Sequence, residues 1–434
     1  MLNENFSLRD KGVSNALELD SLPRHRWYFV KEGFSPKLIE QAVATDSVCR
    51  GEMLFDPFSG SGTAALTGAI AGLKVRASEI NPFLEFLSTT KLSNVKSAVF
   101  KSGLDKLLKA TNHSIPSRLE GYSTFTEPNR WNRWLFPIAV LRCFEAGRQA
   151  LYRTEPECRN LLKLALLGAL MDCCNANRDG KCLRYAKNWQ EQESTPDNLR
   201  NRLEERAKAI ASDLEETPLA GTSSRITQGD ARTLLRRRSR EKFRLCITSP
   251  PYLNSFDYSD VYRPELFLGG FVRSNKSLMK IRLQTVRSHL QANWEDPIRE
   301  DFGPLYSDCI SLLQERIENL WNPRIPTMVQ AYFEDMEDIF KGLRRRALEN
   351  ASLWLVVSTS AYAGVEVPVD LILAELGQRN GWFLREVGVL RYLRSSSQHV
   401  KHVEDEKRKS VPLRESVVIF DASKPSPSKR GHAK

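Results

Sequence analysis

Hydrophobic and polar positions along this 434-residue chain alternate between two regimes. Near the start, short continuous apolar runs are bounded by glycine, proline or acid. One is Met53-Leu54-Phe55 before Asp56, and a second closes at Ala77-Ser78-Glu79-Ile80. Runs of this length predict buried strands of a parallel sheet. Between them, Ala64 to Gly72 predicts a helix of small apolar residues, and Ser35 before Pro36 predicts another helix start. From about 96 to 222 the strand pattern stops. Trp131, Trp134, Leu135, Ile138, Leu141 and Phe144 recur at helical spacing, Leu161 to Met171 predicts a second helix, and Thr195-Pro196 opens a charged amphipathic one ending near Leu214. Strand runs return at Arg225-Ile226-Thr227, Leu245-Cys246-Ile247, Ser352 to Ser358 and Glu415 to Phe420. Helices are expected through Met336 to Leu343 and from Pro368 to Leu376, with Gly381 as a stop. The pattern predicts an α/β fold around one interrupted sheet. Residues 1–95 and 223–422 are its two parts, 96–222 is an inserted helical subdomain, and 423–434 is a basic, disordered tail.

Two stretches carry the chemistry. In Asp56-Pro57-Phe58-Ser59-Gly60-Ser61-Gly62-Thr63, a strand ends in a glycine-rich turn before a helix. Gly60 and Gly62 let the backbone approach a ligand closely, and the helix start offers amide donors. Seventeen positions after Gly62, Glu79 ends the second strand, where an acid accepts the hydroxyls of a ribose. The turn lacks the third glycine of a dinucleotide fingerprint and the Gly-Lys-Ser/Thr of a phosphate-binding loop. The other stretch, Thr248-Ser249-Pro250-Pro251-Tyr252, follows the Leu245-Cys246-Ile247 strand. Two prolines stiffen it and remove two amide donors, so its carbonyls are free to accept. Ser249 adds a hydroxyl acceptor and Tyr252 a flat face, together suited to gripping an exocyclic amine while covering a base.

The pair resembles the motifs of the S-adenosylmethionine-dependent amino-methyltransferases that modify DNA bases. The resemblance covers roughly the first 95 residues and those from about 225 to 420, and it implies a Rossmann-like class I methyltransferase sheet. It makes Phe58, Gly60, Gly62 and Thr63 the cofactor loop and Asp56 a partner of the methionine ammonium. Glu79 is implied to bind the ribose, and Asp230, closing the third strand, to sit near the adenine. Phe34-Ser35 is implied to pack against the methionine end. Ser249, Pro250, Pro251 and Tyr252 are implied to hold a base flipped out of double-stranded DNA. Serine at position 249 is commoner among the family's cytosine-N4 enzymes, aspartate or asparagine among its adenine-N6 enzymes. The chemistry expected is direct in-line transfer, governed by positioning and electrostatics. A C5-cytosine enzyme needs an activated cysteine, usually after proline; no Pro-Cys dipeptide occurs, and Cys246 lies inside a strand run.

Composition narrows the partners. With 64 Lys and Arg against 53 Asp and Glu, the net charge of +11 suits a polyanion. Phe256 to Pro264 adds aromatics that line a base pocket, and Lys280 to Gln291 interleaves cations and amides with apolar residues. Arg282 and Arg287 are therefore the candidate base readers, within a target-recognition stretch at 263–330. The loop Asn177 to Tyr185 offers either a nucleic-acid contact or a solvated turn. Eight cysteines without paired spacing, with His399 and His402 in a basic loop, predict no metal site. The polar, acidic start predicts no secretory signal, and no apolar run reaches membrane length, so a cytoplasmic enzyme is expected. A cognate restriction or defence nuclease is a further partner the resemblance allows. An RNA amino-methyltransferase, or a non-catalytic nucleic-acid-binding subunit with the same fold, would use the same motifs.

Overall fold

The computed structural model describes residues 2–6, 16–128, 132–179, 182–191, 193–219, 221, 223–393 and 413–424. Trp131, His399, His402 and the tail beyond 424 lie outside the described residues. Twelve strands are found among them. These are β1 (Leu2–Asn3), β2 (Met53–Asp56), β3 (Lys74–Glu79), β4 (Ala176–Asp179), β5 (Cys182–Tyr185), β6 (Ser224–Gln228), β7 (Phe243–Thr248), β8 (Ala347–Ser358), β9 (Ser360–Tyr362), β10 (Val365–Val367), β11 (Phe383–Leu393) and β12 (Leu413–Asp421). Eight form one sheet in the order β1-β11-β12-β8-β7-β2-β3-β6. β6, β3, β2, β7 and β8 are mutually parallel, and β12 runs antiparallel to both β8 and β11. This is a Rossmann-like sheet with the strand order of class I methyltransferases.

Both faces of the sheet are covered, which is why its strands read as continuous apolar runs. Successive residues point to opposite faces, so Leu54, Leu245, Ile247, Trp354 and Val356 enter one core while Phe55, Cys246, Leu353, Leu355 and Val357 enter the other. The first core is closed by α1 (Pro36–Thr45) and α2 (Thr63–Ile70), the second by the helices Ile325–Arg346 and Val369–Arg379. α1 starts where expected, with the Ser35 side chain capping the Lys37 amide at 3.2 Å.

After α3 (Pro82–Lys91), four helices precede β6: α4 (Ser97–Ala110), α5 (Ile138–Ala150), α6 (Pro156–Asp172) and α7 (Pro196–Glu216). The chain leaves the sheet after β3 and returns beside it, since β3 and β6 pair from Val75↔Ser224 to Glu79↔Gln228. The helices share one core with the segment after β7, where Phe256, Tyr262, Leu266 and Phe267 pack among Phe100, Leu161 and Leu166.

Three details differ from the sequence pattern. Of the residues at helical spacing, Trp134 and Leu135 are not in a helix, which starts only at Ile138, because Pro137 biases the residue before it away from helical backbone. Trp134 instead packs edge-on to Trp189, with ring centroids 4.7 Å apart. Ala176–Asp179 and Cys182–Tyr185, expected within a loop, are the antiparallel strand pair β4–β5. β11 was not anticipated, because Arg385, Glu386 and Arg391 interrupt its apolar residues.

Asp213 of α7 fastens the helices to the amino-terminal segment. Wholly buried, it accepts from the Arg24 amide at 2.7 Å, from Trp27 Nε1 at 2.8 Å and from Arg26 Nε at 3.2 Å. Replacing it by alanine strands three donors, one of them charged. Asp213→Ala should therefore cost about 3 kcal/mol of stability. Thermal unfolding checks this, and an unchanged midpoint would show that the network carries no net stability.

Candidate active site

The parallel strands β2, β3, β6 and β7 end on one edge of the sheet. From β2 the chain steps outward through β3 to β6, then returns to the opposite side of β2 as β7. A crevice opens outside the carboxyl ends at such a reversal. Here it is a cavity of about 370 Å³ whose wall includes Phe58, Gly60, Glu79, Asp230, Ser249 and Tyr252. Residues expected from two motifs nearly two hundred positions apart thus face one space. Pro251 and Thr63 line it as well.

One hydrogen bond joins the two motifs directly: Thr248 Oγ1 donates to Asp56 Oδ1 at 2.6 Å. The same oxygen accepts the Phe58 amide at 3.0 Å, holding the start of the glycine turn. Asp56 is not among the cavity-lining residues; it braces the wall from behind. Burial pushes its carboxyl up to about 7, against the downward pull of the Thr248 and Phe58 bonds.

Gly60 (φ 51°) faces the cavity, where a Cβ would touch only the Phe58 carbonyl oxygen, 4.0 Å away, but would be strained by the left-handed backbone. Gly62 (φ 83°) has a different reason to be glycine. A Cβ there would lie 2.7 Å from Ser88 Cβ on α3, so Gly62 permits helix packing beneath the turn rather than contact with a ligand. Glu79 accepts from the Gly60 amide at 2.8 Å and the Asn81 amide at 2.9 Å. Burial raises its pKa while these amide bonds lower it. Asp230 caps α8 (Ala231–Arg236) and pairs with Arg232 Nε at 3.0 Å. Phe34 lines the cavity, whereas Ser35 turns away to cap α1. Pro250 is buried and not part of the lining.

Arg282 and Arg287 are not presented to a duplex. Arg282 Nε lies 2.6 Å from Asp257 Oδ2 and 2.9 Å from Ser259 Oγ, pinning the chain after Tyr252 to the helix Asn275–Gln284. Arg287 is clamped by Glu334 at 2.6 Å and by Asp335 at 2.7 Å, and Asp335 also binds Arg232 at 2.7 Å. Both guanidiniums are committed to carboxylates that sequence spacing does not reveal. The residues missed were Arg391 and Glu415, which line the cavity from β11 and β12, and Glu32, which accepts from the Tyr262 hydroxyl at 2.6 Å. An acid opening the last apolar strand was the only signal for Glu415.

Comparison with known proteins adds relatives. No protein-family model matches the chain. It is 23% identical to the Type II methyltransferase M.AvaI of Nostoc sp. over 394 residues, covering 85% of this chain and 81% of that one. It is equally similar to M.BsoBI of Geobacillus stearothermophilus, at 23% over 449 aligned positions, covering 92% of this chain and 85% of the relative. M.MvaI of Kocuria varians is 20% identical, with coverage of 81% and 80%. Among solved structures, the rRNA methyltransferase aviRa from Streptomyces viridochromogenes aligns with a TM-score of 0.30 and 12% identity, covering 90% of this chain and 86% of that one. TrmN from Thermus thermophilus aligns at 0.27 and 11%, covering 89% and 48%.

The wall fits S-adenosylmethionine. Glu79 offers a carboxylate to the cavity at the carboxyl end of β3, and Gly60 borders the same space. The buried Ser59 Oγ and Asn81 Nδ2 have no hydrogen-bond partner among the described residues, although both residues line the cavity. Polar atoms left in this state ask for a polar ligand.

Two predictions follow from the electrostatics. Because the Asp56 carboxyl titrates near 7 in the fold and near 3.8 unfolded, its contribution is fully present below about pH 4 and is lost as pH rises through about 7. Asp56→Asn should flatten this fall, so the variant gains on the wild type by a few kcal/mol between pH 5 and 8 (order of magnitude only). Denaturant unfolding at both pH values measures it, and parallel profiles would refute it. Arg287→Ala leaves two acids beside Arg232 underpaired and should cost about 3 kcal/mol of stability. A variant that melts like wild type but changes sequence choice would return Arg287 to the role of base reader.

Proposed function

We propose that the protein is a site-specific DNA methyltransferase that transfers a methyl group from S-adenosylmethionine to an exocyclic amine of a flipped-out base, with cytosine N4 favoured over adenine N6. The observation that carries this reading is the cavity in which the glycine turn, Glu79 and Asp230 meet Ser249 and Tyr252. The similarity to Type II methyltransferases across most of the chain supports DNA as the substrate.

S-adenosylmethionine supplies an electrophilic methyl on a sulfonium. The chain's own residues do the rest. Phe58, Gly60, Glu79 and Asp230 would hold the donor, and Asp56 keeps the turn in place through the Phe58 amide. Ser249, which lines the cavity, accepts a hydrogen of the amine, drawing its nitrogen toward tetrahedral geometry. Tyr252 offers its ring to the base. Asn254 N donates to the Tyr252 carbonyl at 2.8 Å, which fixes the turn beyond the two prolines. Serine at 249, shorter than aspartate or asparagine, supports the cytosine preference through the family resemblance.

Ser249→Ala should lower turnover by 10²-fold or more (order of magnitude) while leaving donor affinity nearly unchanged, because its contact strengthens as the amine becomes tetrahedral. Glu79→Ala should instead weaken donor binding in calorimetry. Duplex DNA methylated by the protein, digested to nucleosides and analysed by mass spectrometry, identifies the base. N6-methyladenine as the sole product would overturn the cytosine preference. Methylation of RNA but not DNA would overturn the substrate.

A further inference from the structure

Three half-buried arginines of this fold are each clamped by a pair of acids. Arg232 meets Asp230 and Asp335, Arg287 meets Glu334 and Asp335, and Arg414 meets Glu366 and Asp370. Arg346, the last residue of the helix Ile325–Arg346, is also half-buried but is held differently. It donates to the Leu234 carbonyl and, at 3.0 Å, to the Arg237 carbonyl, and among the described residues no ion pair joins it to a carboxylate. Its Nε is buried and has no hydrogen-bond partner among them. Burial and the neighbouring Arg345 pull its pKa below the ordinary guanidinium value. A buried donor on an uncompensated cation calls for an anion.

Arg346 lines a cavity of about 220 Å³ that shares no residue with the one bordered by the two motifs. Arg76 of β3, Arg225 of β6, and Arg237 and Arg238 of the link from α8 to β7 line it as well. Glu241 is the one acid among the described lining residues, and it is already engaged by Arg76 at 2.7 Å and by Arg225 at 3.2 Å. Arg237 and Arg238 are exposed, and no carboxylate pairs with either among the described residues. Like charges so gathered repel one another, and a concave wall of one sign concentrates counter-ions. Phe55 and Phe243, stacked 5.7 Å apart, give the cleft an apolar side, where the pull on an anion is less screened than in water. Guanidiniums grip phosphate oxygens through paired N–H donors, and the volume suits a phosphate or a short polyphosphate.

We propose that this cleft is a phosphate-binding site, separate from the methyl-transfer cavity, in which Arg237, Arg238 and Arg346 grip a phosphate group carried by free polyphosphate or by a nucleic-acid backbone. It does not depend on the methyl-transfer reading. The link bearing Arg237 and Arg238 enters the amino end of β7, whereas the catalytic cavity lies at the carboxyl ends of the strands. Each site can therefore be filled while the other is occupied.

Inorganic tripolyphosphate, titrated calorimetrically into the full chain with and without S-adenosylhomocysteine, tests this. The wild type should bind one tripolyphosphate per chain, equally well in both conditions. The double variant Arg237→Ala/Arg238→Ala should weaken binding by about tenfold, the size expected of two exposed ion pairs. Both side chains are exposed, so its melting temperature without ligand should match the wild type, while tripolyphosphate should raise it less. Arg346→Gln should weaken binding at least as much. A duplex of arbitrary sequence tells the two sources apart. If backbone phosphates are the occupant, the duplex displaces tripolyphosphate, and the slope of log affinity against log salt falls by about 2 in the double variant. If free polyphosphate is the occupant, the duplex leaves tripolyphosphate bound and the slope is unchanged. Either result supports the site. No binding by the wild type, undiminished binding by the double variant, or displacement by S-adenosylhomocysteine would overturn it and leave the methyl-transfer reading standing.

Discussion

Thr248 and Asp56 end neighbouring parallel strands, and the 2.6 Å bond between their side chains is the contact on which the active site depends. β2 and β7 pair only through Leu54↔Leu245 and Phe55↔Cys246, so beyond that point backbone pairing no longer aligns the two loops. The Asp56 carboxylate takes over there, receiving Thr248 from one loop and the Phe58 amide from the other. Chemistry between a bound donor and a bound acceptor tolerates little misplacement. A buried carboxylate shared by both loops converts strand pairing into loop registration, at the cost of a charge disfavoured by desolvation.

A second set of ionic contacts holds the remaining walls. Arg232 joins Asp230 at the cofactor side to Asp335 of the helix Ile325–Arg346, and Asp335 reaches Arg287 in the segment that closes the cavity. The cations most suggestive of base reading are therefore internal struts. Meanwhile Arg237, Arg238 and Arg240, all exposed, follow α8 and precede β7, at the edge opposite the cavity. A net positive charge describes the whole surface and does not locate the face that meets a polyanion.

Among the described residues, α4 to α7 share one apolar core with the segment after β7. Arg178 of β4 stacks over Tyr262 at 4.7 Å, bonds the Tyr28 hydroxyl at 3.0 Å and pairs with buried Glu265. Around them, Phe83, Leu161, Phe256 and Phe267 belong to one apolar cluster. Movement of the insertion against the sheet would expose this cluster and unpair a buried ion pair, so the arm after Tyr252 is held by two parts of the chain at once.

Six strands of the eight-stranded sheet, several helices and the two motifs were legible in the sequence because their information is local. Apolar runs at β2, β7 and β8 report burial on both faces, Thr195-Pro196 and Ser35-Pro36 report helix caps, and Gly60 reports a left-handed turn. β11 was illegible because its charged positions serve partners on other elements: Arg385 bonds Asp46 at the end of α1 and Asp421 of β12, and Arg391 bonds Glu415 of β12. The roles of Gly62, Arg282 and Arg287 likewise depend on Ser88, Asp257 and Asp335, which no spacing connects to them. Sequence by itself determined which residue types could bind a donor and grip an amine. Tertiary structure alone decided which charges are neutralised and by which partners, and which residues of distant motifs face one cavity. Local propensity is written along the chain, whereas donors and acceptors find one another only in space.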